Sequence, residues 1–236
     1  MPVEQYRPSR FNLMPTVTKN IIIINVIMFI TTIVFERMGI NLVDILGLHY
    51  FGSEKFHIWQ FITYMFMHGG VAHIFFNMFA VWMFGAAVEN MWGPKRYLNY
   101  YLLTGLGAAV AHYAIVYYQL QPLLAQIASD TTLTPDVADA QKIELLNAPL
   151  VIGASGAVFG ILVAFGMYFP NTMLFILPIP FPIKAKYAVI GYGLFELFSG
   201  IAKTSGDNVA HFAHLGGLLC GFILIQIWKR NDRTYY

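Results

Sequence analysis

Three short stretches carry residue types that could do chemistry inside otherwise apolar sequence. The first is Gly153-Ala154-Ser155-Gly156, at the start of an apolar run. Glycines on both sides leave the Ser155 hydroxyl uncrowded and let backbone approach closely. A serine at a helix N-terminus also sits where free amides and the helix dipole favour an anion, which suits a nucleophile whose substrate develops an oxyanion. The same small residues, with the Gly156-x-x-x-Gly160 spacing, equally serve close helix packing. The second stretch is Ala213-His214-Leu215-Gly216-Gly217. Imidazole titrates near neutral pH and is a natural general base. Gly217 and Gly221 form a small face, one turn below His214, that lets another helix come into contact. His211, one turn earlier, competes for the role and reads as an accessory near the loop. The third stretch runs from His68 through Gly69, Gly70 and His73 to Asn77. His73 and Asn77 are four apart and share a helix face. An imidazole and an amide there could donate hydrogen bonds to a developing negative charge, or could simply join helices.

The elements that must hold these residues are membrane spans. The chain has 236 residues, of which only 11% are charged and 58% hydrophobic. Soluble domains carry roughly 25% charged residues, so lipid must cover much of the surface. Six segments are apolar enough to span: about 20–35, 71–88, 97–118, 153–169, 187–198 and 209–228. This predicts an all-α, polytopic membrane protein. It divides into a cytoplasmic tail over 1–19, a six-helix membrane domain over 20–228 and a second cytoplasmic tail over 229–236. The first apolar run reads as a retained span, since no small-residue cleavage site follows it. The one long polar interruption, about 119–150, has room for a short amphipathic helix. Cys220 is the single cysteine and excludes an intrachain disulfide. The net charge of +2 is spread among loops, with no basic stripe for nucleic acid.

Most lysines and arginines fall in alternate segments, with few in the segments between. Arg7, Arg10 and Lys19 precede the first span, Lys95 and Arg96 follow the second, Lys184 and Lys186 follow the fourth, and Lys229, Arg230 and Arg233 follow the sixth. This asymmetry predicts an even number of spans with both termini in the cytoplasm. Spans two, four and six then all run inward from the outer surface. His73 with Asn77, Ser155 and His214 each lie near the start of one of them, so all sit at one shallow depth. Polar groups at membrane depth are functional candidates by default, and three placed independently at one level favour chemistry over packing. The reaction predicted is acyl transfer. Ser155 attacks a carbonyl, His214 takes its proton, and the Ser155 amide, Asn77 and His73 stabilise the oxyanion. His68 and the glycines beside it are expected to wall a water-filled cavity. No acidic residue is expected near His214, so Ser155 and His214 read as a dyad. Glu89, at the far end of span two, reads as a structural anchor. A metal-dependent protein using His68, His73, His211 and His214 is the competing class. It lacks a His-Glu-x-x-His helix and an acidic ligand in the spans, and no metal is expected. A transporter would need charged pairs and broken-helix symmetry, neither of which is visible.

The spacing of His68, His73 and Asn77, the Gly153-x-Ser155-Gly156 sequence and the Ala213-His214-x-x-Gly217-x-x-x-Gly221 sequence together resemble the rhomboid family of intramembrane serine proteases. The similarity covers roughly Trp59 to Trp228 and matches a bacterial-type, six-span core. The resemblance implies a six-transmembrane-helix rhomboid-like bundle. It implies an endopeptidase, free of cofactors, that cleaves transmembrane protein substrates near the outer membrane surface. The implied location is a bacterial inner membrane. It assigns Ser155 as nucleophile, His214 as base, and Asn77 with His73 as oxyanion donors. His68, Gly153, Gly156, Phe159, Gly217 and Gly221 support the site. A catalytically inactive rhomboid-like escort of membrane proteins is the alternative, but loss of Ser155 or His214 would mark that class. Two positions depart from the family pattern. Trp59-Gln60 stands where many members have Trp-Arg, and Phe159 where some have a tyrosine packed on the histidine.

Overall fold

The computed structural model describes residues 11–176, 180–202 and 210–232. Each of the six apolar segments is a helix. These are α1 (Thr16–Arg37), α2 (Val71–Trp92), α3 (Pro94–Ser129), α5 (Ser155–Tyr168), α6 (Ala185–Ala202) and α7 (His211–Asp232), with α4 (Pro135–Asn147) outside the spanning set. The first three and α7 are long and apolar enough to cross a membrane, and α5 is apolar but shorter. The protein is a helical polytopic membrane protein. Its outer faces carry side chains that water would not tolerate, such as Ile27, Phe76, Phe198 and Ile223, all exposed. Residues 1–10 of the N-terminal tail, 203–209 after α6, and 233–236 lie outside the described residues.

Helix α5 is the centre of the bundle. Ten of its residues, from Gly156 to Gly166, are buried, because α2, α3, α6 and α7 all pack around it. The closest crossing is with α7. A methyl group added at Gly217 would lie 1.9 Å from the carbonyl oxygen of Gly156, and one at Gly221 would lie 3.1 Å from the Cα of Gly160. Only glycine permits this approach, and the small face inferred from Gly217 and Gly221 is the one that meets α5. On the other side, the Tyr100 hydroxyl donates to the Gly160 carbonyl at 2.8 Å, and that of Tyr64 donates to Gly105 at 2.8 Å.

At the end of the bundle away from Ser155, Glu89 caps α1. Its carboxylate accepts the backbone amides of Val17 (2.9 Å) and Thr18 (2.7 Å) and the Thr18 hydroxyl (2.8 Å). An anion on free N-terminal amides is favourable electrostatically, and Glu89 is the anchor expected. Beside it, the Arg96 guanidinium lies over the Trp228 ring, 4.7 Å from its centroid.

The polar interruption is more ordered than a loop. Helix α3 runs for 36 residues, about 54 Å at ~1.5 Å per residue. The hydrocarbon core is only ~30 Å thick, so its last turns project beyond the bilayer. There α3 and α4 pack through Val116, Leu120, Leu145 and Leu146 against Tyr50 of the first loop. The chain then returns as β2 (Leu150–Val151), antiparallel to β1 (Leu48–His49), with Leu48 opposite Val151. This ribbon ties the first loop to the segment that delivers Ser155.

Gln60 supplies the first loop's internal bonding. Fully buried, its Oε1 accepts the amides of His49 and His57 at 3.2 Å each, and its Nε2 donates to the carbonyls of Ile45 (3.2 Å) and Lys55 (2.9 Å). One amide thus satisfies four backbone groups. Gln60→Ala leaves them buried without partners, at about 1–3 kcal/mol for such a group. The expected result is a lower thermal unfolding midpoint in detergent. An unchanged midpoint would show that water or neighbouring groups take over these bonds.

Candidate active site

Ser155 begins α5, and the backbone before it is fixed at both sides. The Gly153 amide donates to the Tyr64 carbonyl at 2.9 Å. Gly153 itself has φ +122°, a conformation that side chains rarely adopt, and an added Cβ would lie 2.7 Å from His73 Nε2. The glycine therefore serves both the turn and the approach of His73 to the serine.

His214 lies in the first turn of α7, and its Nε2 is 2.7 Å from Ser155 Oγ. The α5–α7 glycine crossing sits directly below and sets this distance. Phe159, one turn after Ser155, stacks on the imidazole with ring centroids 4.6 Å apart and planes at 12°. The phenyl ring thus packs on the histidine without supplying a hydroxyl.

A cavity of about 710 Å³ opens over this pair and is lined by Gly69, Gly70, His73, Gly153, Ser155 and His214 among others. That is within the ~300–1,000 Å³ usual for ligand pockets. His73 Nδ1 accepts the Gly69 amide at a long 3.4 Å. In the neutral ring the proton then resides on Nε2, which faces Gly153 and the serine. His68 does not line the cavity as expected. It is buried behind His73, edge to face at a centroid distance of 4.9 Å. Burial, followed by the neighbouring His73, pushes its pKa down to about 4, so it stands there as a neutral ring. Asn77 lies one turn deeper than His73 on the same face and does not border the cavity. It is buried, and its Nδ2 has no hydrogen-bond partner among the described residues.

The expectation that no acid lies near His214 is overturned. Glu196 of α6 is buried, with its Oε2 3.0 Å from His214 Nδ1 and 2.6 Å from His211 Nδ1. The His211 contact is a well-formed hydrogen bond. The His214 contact stands off the line of a straight one. The four histidines of the metal-dependent reading form two pairs, His68 with His73 and His211 with His214. Among the described residues, only the second pair has a carboxylate, giving two imidazole nitrogens and one oxygen within 4.8 Å. Sequence reasoning missed Glu196, although a lone carboxylate in Leu194-Phe195-Glu196-Leu197-Phe198 is the signal that should have marked it.

The fold and this constellation define a polytopic helical membrane protein with a hydrogen-bonded serine–histidine pair under a cavity at one end of the bundle. The rhomboid domain family model matches residues 55–231, and the chain belongs to the rhomboid family. It is 30% identical over 174 residues to RHOMBOID-like protein 6, mitochondrial, of Arabidopsis thaliana, covering 73% of this chain and 43% of that one. It is 28% identical over 167 residues to Rhomboid protease GluP of Bacillus subtilis, covering 70% and 25% respectively. With Rhomboid protease AarA of Providencia stuartii the identity is 26% over 170 residues, covering 70% and 54%. The chain thus spans between a quarter and about half of these relatives' lengths.

Proposed function

We propose that this protein is an intramembrane serine endopeptidase that cleaves transmembrane protein substrates near the outer membrane surface. The observation that carries the reading is the 2.7 Å contact between Ser155 Oγ and His214 Nε2 under a cavity. His214 takes the hydroxyl proton as Ser155 attacks a peptide carbonyl. The tetrahedral oxyanion receives hydrogen bonds from the Ser155 amide and His73, and from Asn77 once its side chain reaches up from one turn deeper on the same face. His214 then returns the proton to the leaving amine, and water entering through the cavity hydrolyses the acyl-enzyme. The similarity to the rhomboid proteases GluP and AarA supports this activity. The proposed location is a bacterial inner membrane, and the distribution of lysine and arginine favours the segments flanking residues 20–228 on its cytoplasmic side. An escort role without catalysis would not need the serine hydroxyl within hydrogen-bonding reach of an imidazole.

The test is covalent labelling of the full chain, purified in detergent, with a serine-reactive fluorophosphonate. Wild type should label, and Ser155→Ala should not. A wild-type protein that stays unlabelled, or labelling that survives Ser155→Ala, sinks the proposal.

A further inference from the structure

We propose that Glu196 is a positioning residue for His214, held in place by His211, so that the reacting pair works within a four-membered chain Ser155–His214–Glu196–His211. The inference rests on the reading of Ser155 and His214 as nucleophile and base.

A buried carboxylate in a membrane helix is costly unless charge partners or hydrogen-bond donors surround it. Glu196 meets that condition with two imidazoles. Oε2 is 2.6 Å from His211 Nδ1 and 3.0 Å from His214 Nδ1. His214 Nε2 is at the same time 2.7 Å from Ser155 Oγ. For Nε2 to accept the serine proton, the neutral imidazole must carry its own proton on Nδ1. A carboxylate at Nδ1 selects that tautomer. Phe159 fixes the plane of the ring, with its own ring inclined by only 12°, but stacking does not fix which nitrogen is protonated. Glu196 supplies the missing constraint.

The second contribution comes during reaction. As the serine proton passes to Nε2, His214 becomes an imidazolium with a proton on each nitrogen. Its positive charge then lies 3.0 Å from the buried Glu196 carboxylate, where such attraction is stronger than in water. The proton stays on His214, and Glu196 remains ionised throughout. His211 takes the better-aligned bond to the same oxygen, and so holds the carboxylate against swinging away. It is an anchor rather than a rival base. Helix α6 brings the carboxylate to this level, with Glu196 six residues before its end at Ala202. That is about 9 Å of helix at ~1.5 Å per residue.

In a soluble serine protease, replacing the corresponding aspartate by asparagine costs about 10⁴ in kcat. The contact here is less well aligned and its oxygen is shared, so a smaller effect is expected. Cleavage of a model transmembrane substrate is measured in proteoliposomes for the full chain and its variants. Glu196→Gln should lower kcat by about ten- to a thousandfold and leave KM within about twofold. Glu196→Asp should recover most of the loss, because it keeps the charge. His211→Asn should lower kcat by less than Glu196→Gln does. A chelator should leave wild-type turnover unchanged. The proposal is overturned if Glu196→Gln turns over like wild type while Ser155→Ala is dead. It is also overturned if Glu196→Asp and Glu196→Gln lose activity equally and both unfold at lower temperature, which marks a purely structural role. Chelator-sensitive activity overturns it as well, by making the three groups metal ligands. Cleavage that persists in Ser155→Ala instead strikes at the protease reading itself.

Discussion

Replacing His214 by asparagine is expected to lower substrate turnover by about 10⁴- to 10⁶-fold, the range seen when the base of a soluble serine protease is removed. A serine hydroxyl is a weak nucleophile until a base takes its proton. The one imidazole at hydrogen-bonding distance from Ser155 Oγ among the described residues is that of His214. His211 cannot substitute, because its Nδ1 is committed to Glu196 at 2.6 Å. The fold should survive the change. The α5–α7 crossing is set by Gly217 against Gly156 and by Gly221 against Gly160, and none of these contacts uses the imidazole. Fluorophosphonate labelling should fall in parallel with cleavage, since both require the same activated oxygen. Turnover above about a hundredth of wild type in His214→Asn would remove this residue from the role of base.

The six helices were legible because hydropathy alone places them, and the expected alternation rested on where most lysines and arginines fall. The common level of His73, Ser155 and His214 followed from that alternation, and the cavity they share requires it. Boundaries were less legible. Hydropathy drops after Tyr118, yet α3 continues to Ser129, since a helix leaving the bilayer can stay helical by packing on α4 and Tyr50. Gln60 was visible as a departure, but its four backbone bonds depend on how the first loop folds over it, which no local pattern encodes. Glu196 is the instructive case. Its residue type and its place in an apolar helix were both visible. Its partners were not, because they depend on the rotation of α6 about its own axis. It lies eighteen positions before His214, and residues 203–209 between the two helices lie outside the described residues.

Asn77→Ala is expected to lower kcat by about a hundred- to a thousandfold with little change in KM, the effect of losing one oxyanion donor. Its Nδ2 is buried and has no partner among the described residues. A donor left so costs stability, on the order of 1–3 kcal/mol for a buried unsatisfied group. Such a cost is understandable if the partner is a species present only during reaction. Helix geometry puts Asn77 about 6 Å below His73 on one face at ~1.5 Å per residue, so both side chains lie on the helix face that His73 turns toward the serine. Alanine removes the donor together with its desolvation cost. The thermal unfolding midpoint should therefore hold or rise while turnover falls. An asparagine kept only to join helices predicts the reverse, with a lower midpoint and activity that follows the folded fraction. Measuring kcat, KM and unfolding on the same preparation separates the two, and a drop in stability with kcat unchanged would exclude Asn77 from the oxyanion site.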